Sequence, residues 1–299
     1  MVNRILNPSE NNSFFIFGPR GTGKSTLVRS LYSKPQTLWI DLLREEDEER
    51  FRARPQDLSA LLAAGQYKCV VIDEVQKLPK LLDIVHLEIE AKRAQFVLTG
   101  SSARKLKRGA ANLLAGRAFT YHLYPLTHRE LGEVFDLQGA LSLGGLPKLL
   151  ELTELSDREE YLRSYVRTYL KEEIIAEQVI RKIDPFRDFL KIAAQSNGQI
   201  INYSKIASDV GVDDKTVHSY FQILEDTLVG HFLNPYHRSV RKRQREAPKF
   251  YLFDPGVKRA LEQTLRSELV PQTYAYGRAF EHFVFLEAMR AGKACIAAC

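Results

Sequence analysis

The run Gly18-Pro19-Arg20-Gly21-Thr22-Gly23-Lys24-Ser25 fits the pattern G-x-x-x-x-G-K-[ST]. Glycines at these positions let successive backbone N–H groups turn inward around phosphate oxygens. A helix opening at the lysine adds its partial positive end. Lys24 is placed to reach the β- and γ-phosphates of a nucleotide and the Ser25 hydroxyl to ligate Mg²⁺, with Thr26 closing the set of binding residues. Further on, the apolar run Cys69-Val70-Val71-Ile72 is followed directly by Asp73 and Glu74. Two acids behind four apolar residues read as carboxylates emerging from the end of a buried strand, where ligands of open α/β sheets collect. Asp73 then holds Mg²⁺ through water, and Glu74 orients or deprotonates an attacking water. A small-molecule kinase needs no water-activating glutamate at this place, and the sequence contains no N-K-x-D guanine-reading motif. Adenine nucleotide and hydrolysis are the better fit.

Three further groups belong to the same reading. Thr99-Gly100-Ser101-Ser102 ends an apolar run, and Ser101 is a candidate to sense the γ-phosphate or hold the water. Arg117, in Leu114-Ala115-Gly116-Arg117, is a candidate phosphate contact, made in cis or from a neighbouring subunit. The basic run Arg104-Lys105-Leu106-Lys107-Arg108 reads as a solvated helix face rather than a nucleic-acid contact.

These residues need a scaffold, and the first half supplies its pattern. Ser13–Phe17, Leu38–Leu42, Cys69–Asp73, Gln95–Thr99 and Phe119–Leu123 are rich in aromatic and β-branched residues. The first four read as strands buried on both faces. Helical patterns at Lys24–Tyr32, Pro55–Ala64 and Pro79–Ala91 lie between them, which implies βαβ units and a parallel sheet. From about Pro125 the strand signal stops. Thr127 with Glu130 and Ser156 with Glu159 each read as a capping box, the second opening a long helix to about Arg181. Gly144-Gly145-Leu146-Pro147 reads as a turn. Residues 186–232 suggest three helices, the last at Asp213–Leu224 behind the turn-like Val210-Gly211-Val212, which is a helix-turn-helix pattern. Phe250–Asp254, closed by Pro255-Gly256, suggests a wing strand. The domain expectation is 1–135 for nucleotide binding, 136–184 for a helical linker, 185–256 for a winged-helix-like domain, and 257–299 for the start of a C-terminal domain.

Composition sets the outer limits. With 299 residues, 44% apolar, 27% charged and 10% aromatic, the chain is of globular type, and disordered, collagen-like and coiled-coil classes are excluded. The longest uncharged stretch, Ile192–Ser204, is too short and too polar to span a bilayer. No signal-peptide pattern opens the sequence, and three cysteines make no disulfide framework, so the expected location is the cytoplasm with no membrane partner. The net charge of +6 is unevenly placed: residues 1–135 hold 20 Lys+Arg against 15 Asp+Glu, and residues 136–299 hold 23 against 22.

The ordered segments GPRGTGKST, VVIDEVQKLP, FVLTGSSARKL, LLAGRAFTYHLYPLTHREL, LGGLP, VHSYFQILEDTLV and KFYLFDPGVKRAL together resemble a prokaryotic family of AAA+ ATPases. Its members carry an N-terminal P-loop domain, a winged-helix segment and a C-terminal domain of unknown function, and the resemblance runs from Arg4 to about Arg290. It implies an α/β P-loop NTPase of the ASCE type, with a five-stranded, mainly parallel sheet and an additional strand between those of the phosphate loop and Asp73. It further implies that the LTGSS hydroxyls act as a sensor and that Arg117 is functional. Family members commonly continue beyond this point, many into a fold resembling restriction endonucleases. Gly277–His282 resembles the opening helix of that fold, but no D…E-x-K constellation follows. The expectation is therefore a shortened C-terminal domain, Glu281 as a helix-surface acid, and an unstructured tail carrying Cys295 and Cys299.

The helix-turn-helix pattern raises DNA as a partner. Asp213 and Asp214 open its last helix, where phosphate would repel them, although they suit a helix N-terminus. The run Arg238–Arg245 holds five Lys/Arg and suits a basic wing. Two functions follow. One is a Mg²⁺-dependent ATPase that couples nucleotide state to a protein partner or to self-association. The other is a nucleotide-gated DNA-binding regulator with little turnover.

Overall fold

The computed structural model describes residues 2–101, 114, 116–170, 183–236 and 247–297. Two compact units divide the chain, Arg4–Tyr124 and the segment from Pro125 onward.

In the first unit, strands β1 (Phe14–Phe17), β2 (Thr37–Asp41), β3 (Cys69–Asp73), β4 (Gln95–Gly100) and β5 (Phe119–His122) form one parallel sheet in the order β2-β3-β4-β1-β5. All four residues of β1 and all five of β3 are buried. Successive strand residues point to opposite faces, so burial of every one means that both faces are covered. The fifth strand is parallel too, with Phe14 level with Phe119 and Phe17 level with His122. Strand β4 lies between β1 and β3, the additional strand that the resemblance implies. Helices α1 (Lys24–Leu31), α2 (Glu45–Ala53), α3 (Asp57–Ala64) and α4 (Leu81–Glu90) join the strands. Helix α2 has no counterpart among the sequence expectations. Its sequence is EEDEERFRA and only Phe51 is buried, so no apolar stripe marks it.

The second unit is mostly helical: α5 (His128–Leu131), α6 (Leu137–Leu143), α7 (Leu155–Ser164), α8 (Ile183–Gln195), α9 (Tyr203–Val210) and α10 (Asp214–Asp226). An antiparallel pair, β6 (Gly230–Leu233) and β7 (Lys249–Leu252), follows, and then α11 (Pro255–Leu261) and α12 (Tyr274–Ala297). One buried cluster runs from Leu143 through Phe189, Phe221 and Phe250 to Leu265, so the expected boundaries at 184/185 and 256/257 fall within a shared core. Thr127 and Glu130 form the expected capping box. The second one does not form: the N-cap of α7 is Glu154, two residues before Ser156, and it has no side-chain cap. A π-helical turn at Tyr165–Leu170 interrupts what reads as one long helix.

Pro255-Gly256 opens α11 instead of closing a strand, because the Asp254 carboxylate caps that helix at the Val257 N–H (3.0 Å). The same carboxylate accepts the Gly145 N–H at 2.8 Å, and a Cβ on Gly256 would overlap the Leu143 carbonyl oxygen. Two short motifs, LGGLP and FDPG, therefore meet in space. Helix α12 continues through Ala297 where the sequence suggests an unstructured tail, and its Glu281 is an exposed acid that accepts from Lys249 Nζ and Tyr251 Oη. The runs Arg104–Arg108 and Arg238–Arg245, with Ser102 and Cys299, lie outside the described residues. Among the described residues, no helix is long and apolar enough to cross a membrane.

Candidate nucleotide site

Asp73, Glu74, Ser101 and the marked residues of the phosphate loop lie at the C-terminal edge of the sheet. Chain leaving β1 enters the loop at Gly18, and a Cβ there would overlap the carbonyl oxygen of Leu123, so only glycine admits the close pass of loop and β5 exit. Gly21 and Gly23 adopt left-handed conformations (φ 78° and 88°), which cost glycine little and turn the intervening N–H groups toward one side. Helix α1 then starts at Lys24 with no side-chain cap and no acid in its first turn. Helices α2, α3, α4 and α7 lack a side-chain cap too, but each carries an acid in its first turn, and α1 does not. Thr127, Asp136, Asn202, Asp213 and Asp254 cap their helices with a side-chain oxygen. The uncapped N–H groups and positive end of α1 suit an anion such as a phosphate.

Lys24 is buried and donates from Nζ to Gly18 O (2.7 Å) and Pro19 O (3.2 Å), folding its ammonium over the loop. Thr22 is fully buried and donates from Oγ1 to Pro19 O at 2.9 Å, which closes the loop on itself. Ser25 is half-buried at the helix start, whereas Arg20 and Thr26 are exposed. Arg4 reaches from the N-terminal segment to Thr22 O (2.7 Å) and Tyr124 O (2.6 Å), tying the loop to the exit of β5. Sequence reasoning missed Arg4, because nothing local marks a residue that acts across so long a stretch of chain.

The carboxylates sit two strands from β1, about 10 Å away at ordinary strand spacing. Asp73 is buried and accepts from the Thr99 hydroxyl, which itself accepts the Glu74 N–H at 3.2 Å. Glu74 is held at φ 58°, the left-handed region that a non-glycine residue rarely adopts. That kink turns the chain out of β3 and into the 3₁₀ turn Val75–Lys77. The Gln76 amide donates both to the Glu74 carboxylate and to Ser101 Oγ (3.1 Å), so one buried side chain links the candidate base to the candidate sensor. A Cβ on Gly100 would approach Gln76 Oε1 to 2.6 Å, so a larger residue there would displace the Gln76 amide. Neither Gln76 nor the shared role of Thr99 was evident from the sequence; both lie inside marked segments, VQKLP and LTGSS.

Arg117 does not join this group. It precedes β5, and the next backbone bond, Phe119 N–H to Ser13 O, is level with the entry of β1. The length of a four-residue strand, about 13 Å, separates that edge from the phosphate loop. The Arg117 guanidinium pairs instead with Glu90 at the end of α4 and holds its carboxyl below the usual range. Within its own sheet Arg117 thus lies at the edge opposite the phosphate loop.

Residues 10–132 match a family described as an AAA domain, and residues 134–268 match a domain of unknown function. The first unit is an AAA domain. An uncharacterized protein of Mycobacterium tuberculosis is 29% identical over 243 residues, covering 80% of this chain and 54% of its own. The chain thus spans about half the length of that relative. An uncharacterized protein of Haemophilus influenzae is 23% identical, covering 93% of this chain and 74% of its own. Among solved structures, the Aeropyrum pernix ORC1 protein in complex with DNA aligns with a TM-score of 0.37 at 12% identity, over 87% of this chain and 88% of that one. Together the parallel sheet, the phosphate loop and the family match make the first unit of this chain an α/β P-loop nucleotide-binding domain.

Proposed function

We propose that the AAA domain binds ATP with Mg²⁺ and hydrolyses it, and that the nucleotide state is passed to a protein partner or to further copies of the chain. The observation that supports this most is the shared edge. The uncapped start of α1 with Lys24, the Asp73–Thr99 pair and Glu74 all open at the C-terminal ends of neighbouring strands. In this reading Gly18 to Thr26 wrap the phosphates, and Lys24 turns its ammonium from the loop carbonyls to the β- and γ-phosphates. Ser25 and Asp73 would hold Mg²⁺, which would supply charge neutralisation to the phosphates. Glu74 accepts the proton of the water that attacks the γ-phosphorus as the bond to the ADP oxygen breaks. Gln76, bonded to both Glu74 and Ser101, holds the base in place. Arg117, at the far edge of its own sheet, serves a neighbouring copy.

Replacing Glu74 by Gln tests this directly. Phosphate release should fall by about 10²–10⁴-fold, the usual weight of a general base, while ATP still binds. Turnover at the wild-type rate would remove Glu74 from its role.

A second reading rests on α8–α10 followed by the antiparallel β6–β7 pair, an arrangement compatible with a winged helix and with a nucleotide-gated DNA regulator. Its weak point is the start of α10. Asp213 caps that helix at the Thr216 N–H (2.7 Å), and Asp214 accepts from Ser204 Oγ at 2.5 Å. Both acids have structural tasks, and both would meet phosphate with like charge. DNA binding that survives replacement of Arg241, Lys242, Arg243 and Arg245 would count against the wing as the contact.

A further inference from the structure

Four of the five strands of the AAA domain are entered through a loop that carries a cation at its end. Lys34 precedes β2, Lys68 precedes β3, Lys92 and Arg93 precede β4, and Arg117 precedes β5. All strands run parallel, so these loops fall on one edge, opposite the phosphate loop. Sheet order places Lys34, Lys68 and Lys92 on adjacent strands, with Arg117 two strands further along. At about 4.8 Å per strand the row is about 19 Å long. A groove of about 930 Å³ follows it, lined by these cations together with Asn12, Tyr32, Gln36 and Gln95.

Arg93 and Arg117 are engaged by Glu88 and Glu90. Lys34, Lys68 and Lys92 are exposed and make no ion pair among the described residues, while Glu10 is the one carboxylate among the lining residues. Lys92 is also held at φ 52°, a conformation that ordinarily selects Gly or Asn, yet the position carries a cation. Most of the lining is amide, hydroxyl and ammonium, the groups that contact phosphate and sugar. Cores of protein–protein interfaces are instead depleted of lysine and enriched in aromatic and apolar anchors.

We propose that this edge of the sheet is a track for a nucleic-acid backbone, on which Lys34, Lys68 and Lys92 neutralise successive phosphates. It shares only Arg117 with the ATP reading and is separate from the Arg238–Arg245 run. The test is fluorescence anisotropy of the full chain with a labelled single strand and a labelled duplex, each about 20 nucleotides long, between about 50 and 200 mM salt. The triple variant K34E/K68E/K92E should bind at least about tenfold more weakly, with the slope of log affinity against log salt reduced by about 2–3. Its thermal midpoint and its ATP turnover without nucleic acid should match wild type, because the three lysines lie at the edge away from Lys24. The milder K34Q/K68Q/K92Q variant should show the same slope change with a smaller loss, which guards against misfolding of the first. The form bound more tightly by wild type identifies the source as single-stranded or duplex. Wild-type affinity and slope in both variants would overturn the proposal. So would salt-independent binding, or equal lysine-dependent binding of polyglutamate, which would mark an acidic protein as the occupant.

Discussion

Thr99 is completely buried, and its one hydroxyl serves two neighbours, donating to the Asp73 carboxylate and accepting the Glu74 N–H. Valine has the same shape without that group, so Thr99→Val leaves a buried carboxylate and a backbone donor each short of a partner. A cost of about 1–3 kcal/mol is expected for such a loss. It should appear as a lower urea midpoint together with slower ATP turnover, and Thr99→Ser, which keeps the hydroxyl, should recover most of both. Equal kcat for the valine and wild-type proteins would show that Thr99 supports the strand ends and not the site. In the proposed reading Gln76, bonded to Glu74 and Ser101, is a positioning residue in the same sense.

At the scale of elements, the second unit contains a histidine with a readable pH signature. His282, on α12, is buried and Nε2 lies 2.6 Å from the Leu252 carbonyl of β7. Burial pushes its pKa down to about 3, Lys258 and Arg290 add to the effect, and the carbonyl and Glu281 oppose it. The ring is therefore neutral at neutral pH and Nε2–H donates. Unfolded, the same ring takes a proton near pH 6.5. Between about pH 6.5 and 3 the unfolded chain binds the extra proton, so this contribution is complete above 6.5 and is lost as pH falls toward 3. The limiting slope is about 1.4 kcal/mol per pH unit. His282→Gln keeps an N–H for Leu252 but no titration, and its stability should fall less steeply between pH 6 and about 4.5. Parallel curves for the two proteins would refute the assignment.

The same scale shows what the sequence can convey. The phosphate loop and the Cys69–Glu74 strand were legible because each is a local pattern whose chemistry and secondary structure coincide. Helix α2 was hidden, since a helix held by one buried phenylalanine and by the Glu48–Lys77 and Glu48–Arg52 pairs has no periodic signal. The box expected at Ser156 does not form because its spacing matches while the helix begins two residues earlier, with Glu154 at the N-cap. Arg117 was legible as a residue but not as a place. Only the parallel pairing of β5 with β1 shows which end of the sheet it occupies.

At the scale of the whole molecule, a buried cluster of the first unit gathers around Phe14, Val71 and Val97, and one of the second gathers around Phe189, Phe221 and Phe250. Every residue proposed above to hold the nucleotide lies in Arg4–Tyr124, so in that reading the free energy of ATP binding enters through that unit. At a ligand concentration about 100 times Kd, binding to the folded state adds about 2.7 kcal/mol. With Glu74→Gln to prevent turnover, Mg²⁺ and ATP should therefore slow amide exchange in β1, β3 and β4 by up to about 100-fold, if those amides exchange through unfolding of the unit. Amides of α8–α10 report the other half of the molecule. Their exchange should stay unchanged if the second unit opens independently, and should slow by the same factor if the two units unfold as one. Lys24→Ala must abolish the effect in either case. Slowing that survives this substitution would mean the nucleotide is held somewhere other than the Gly18–Ser25 loop.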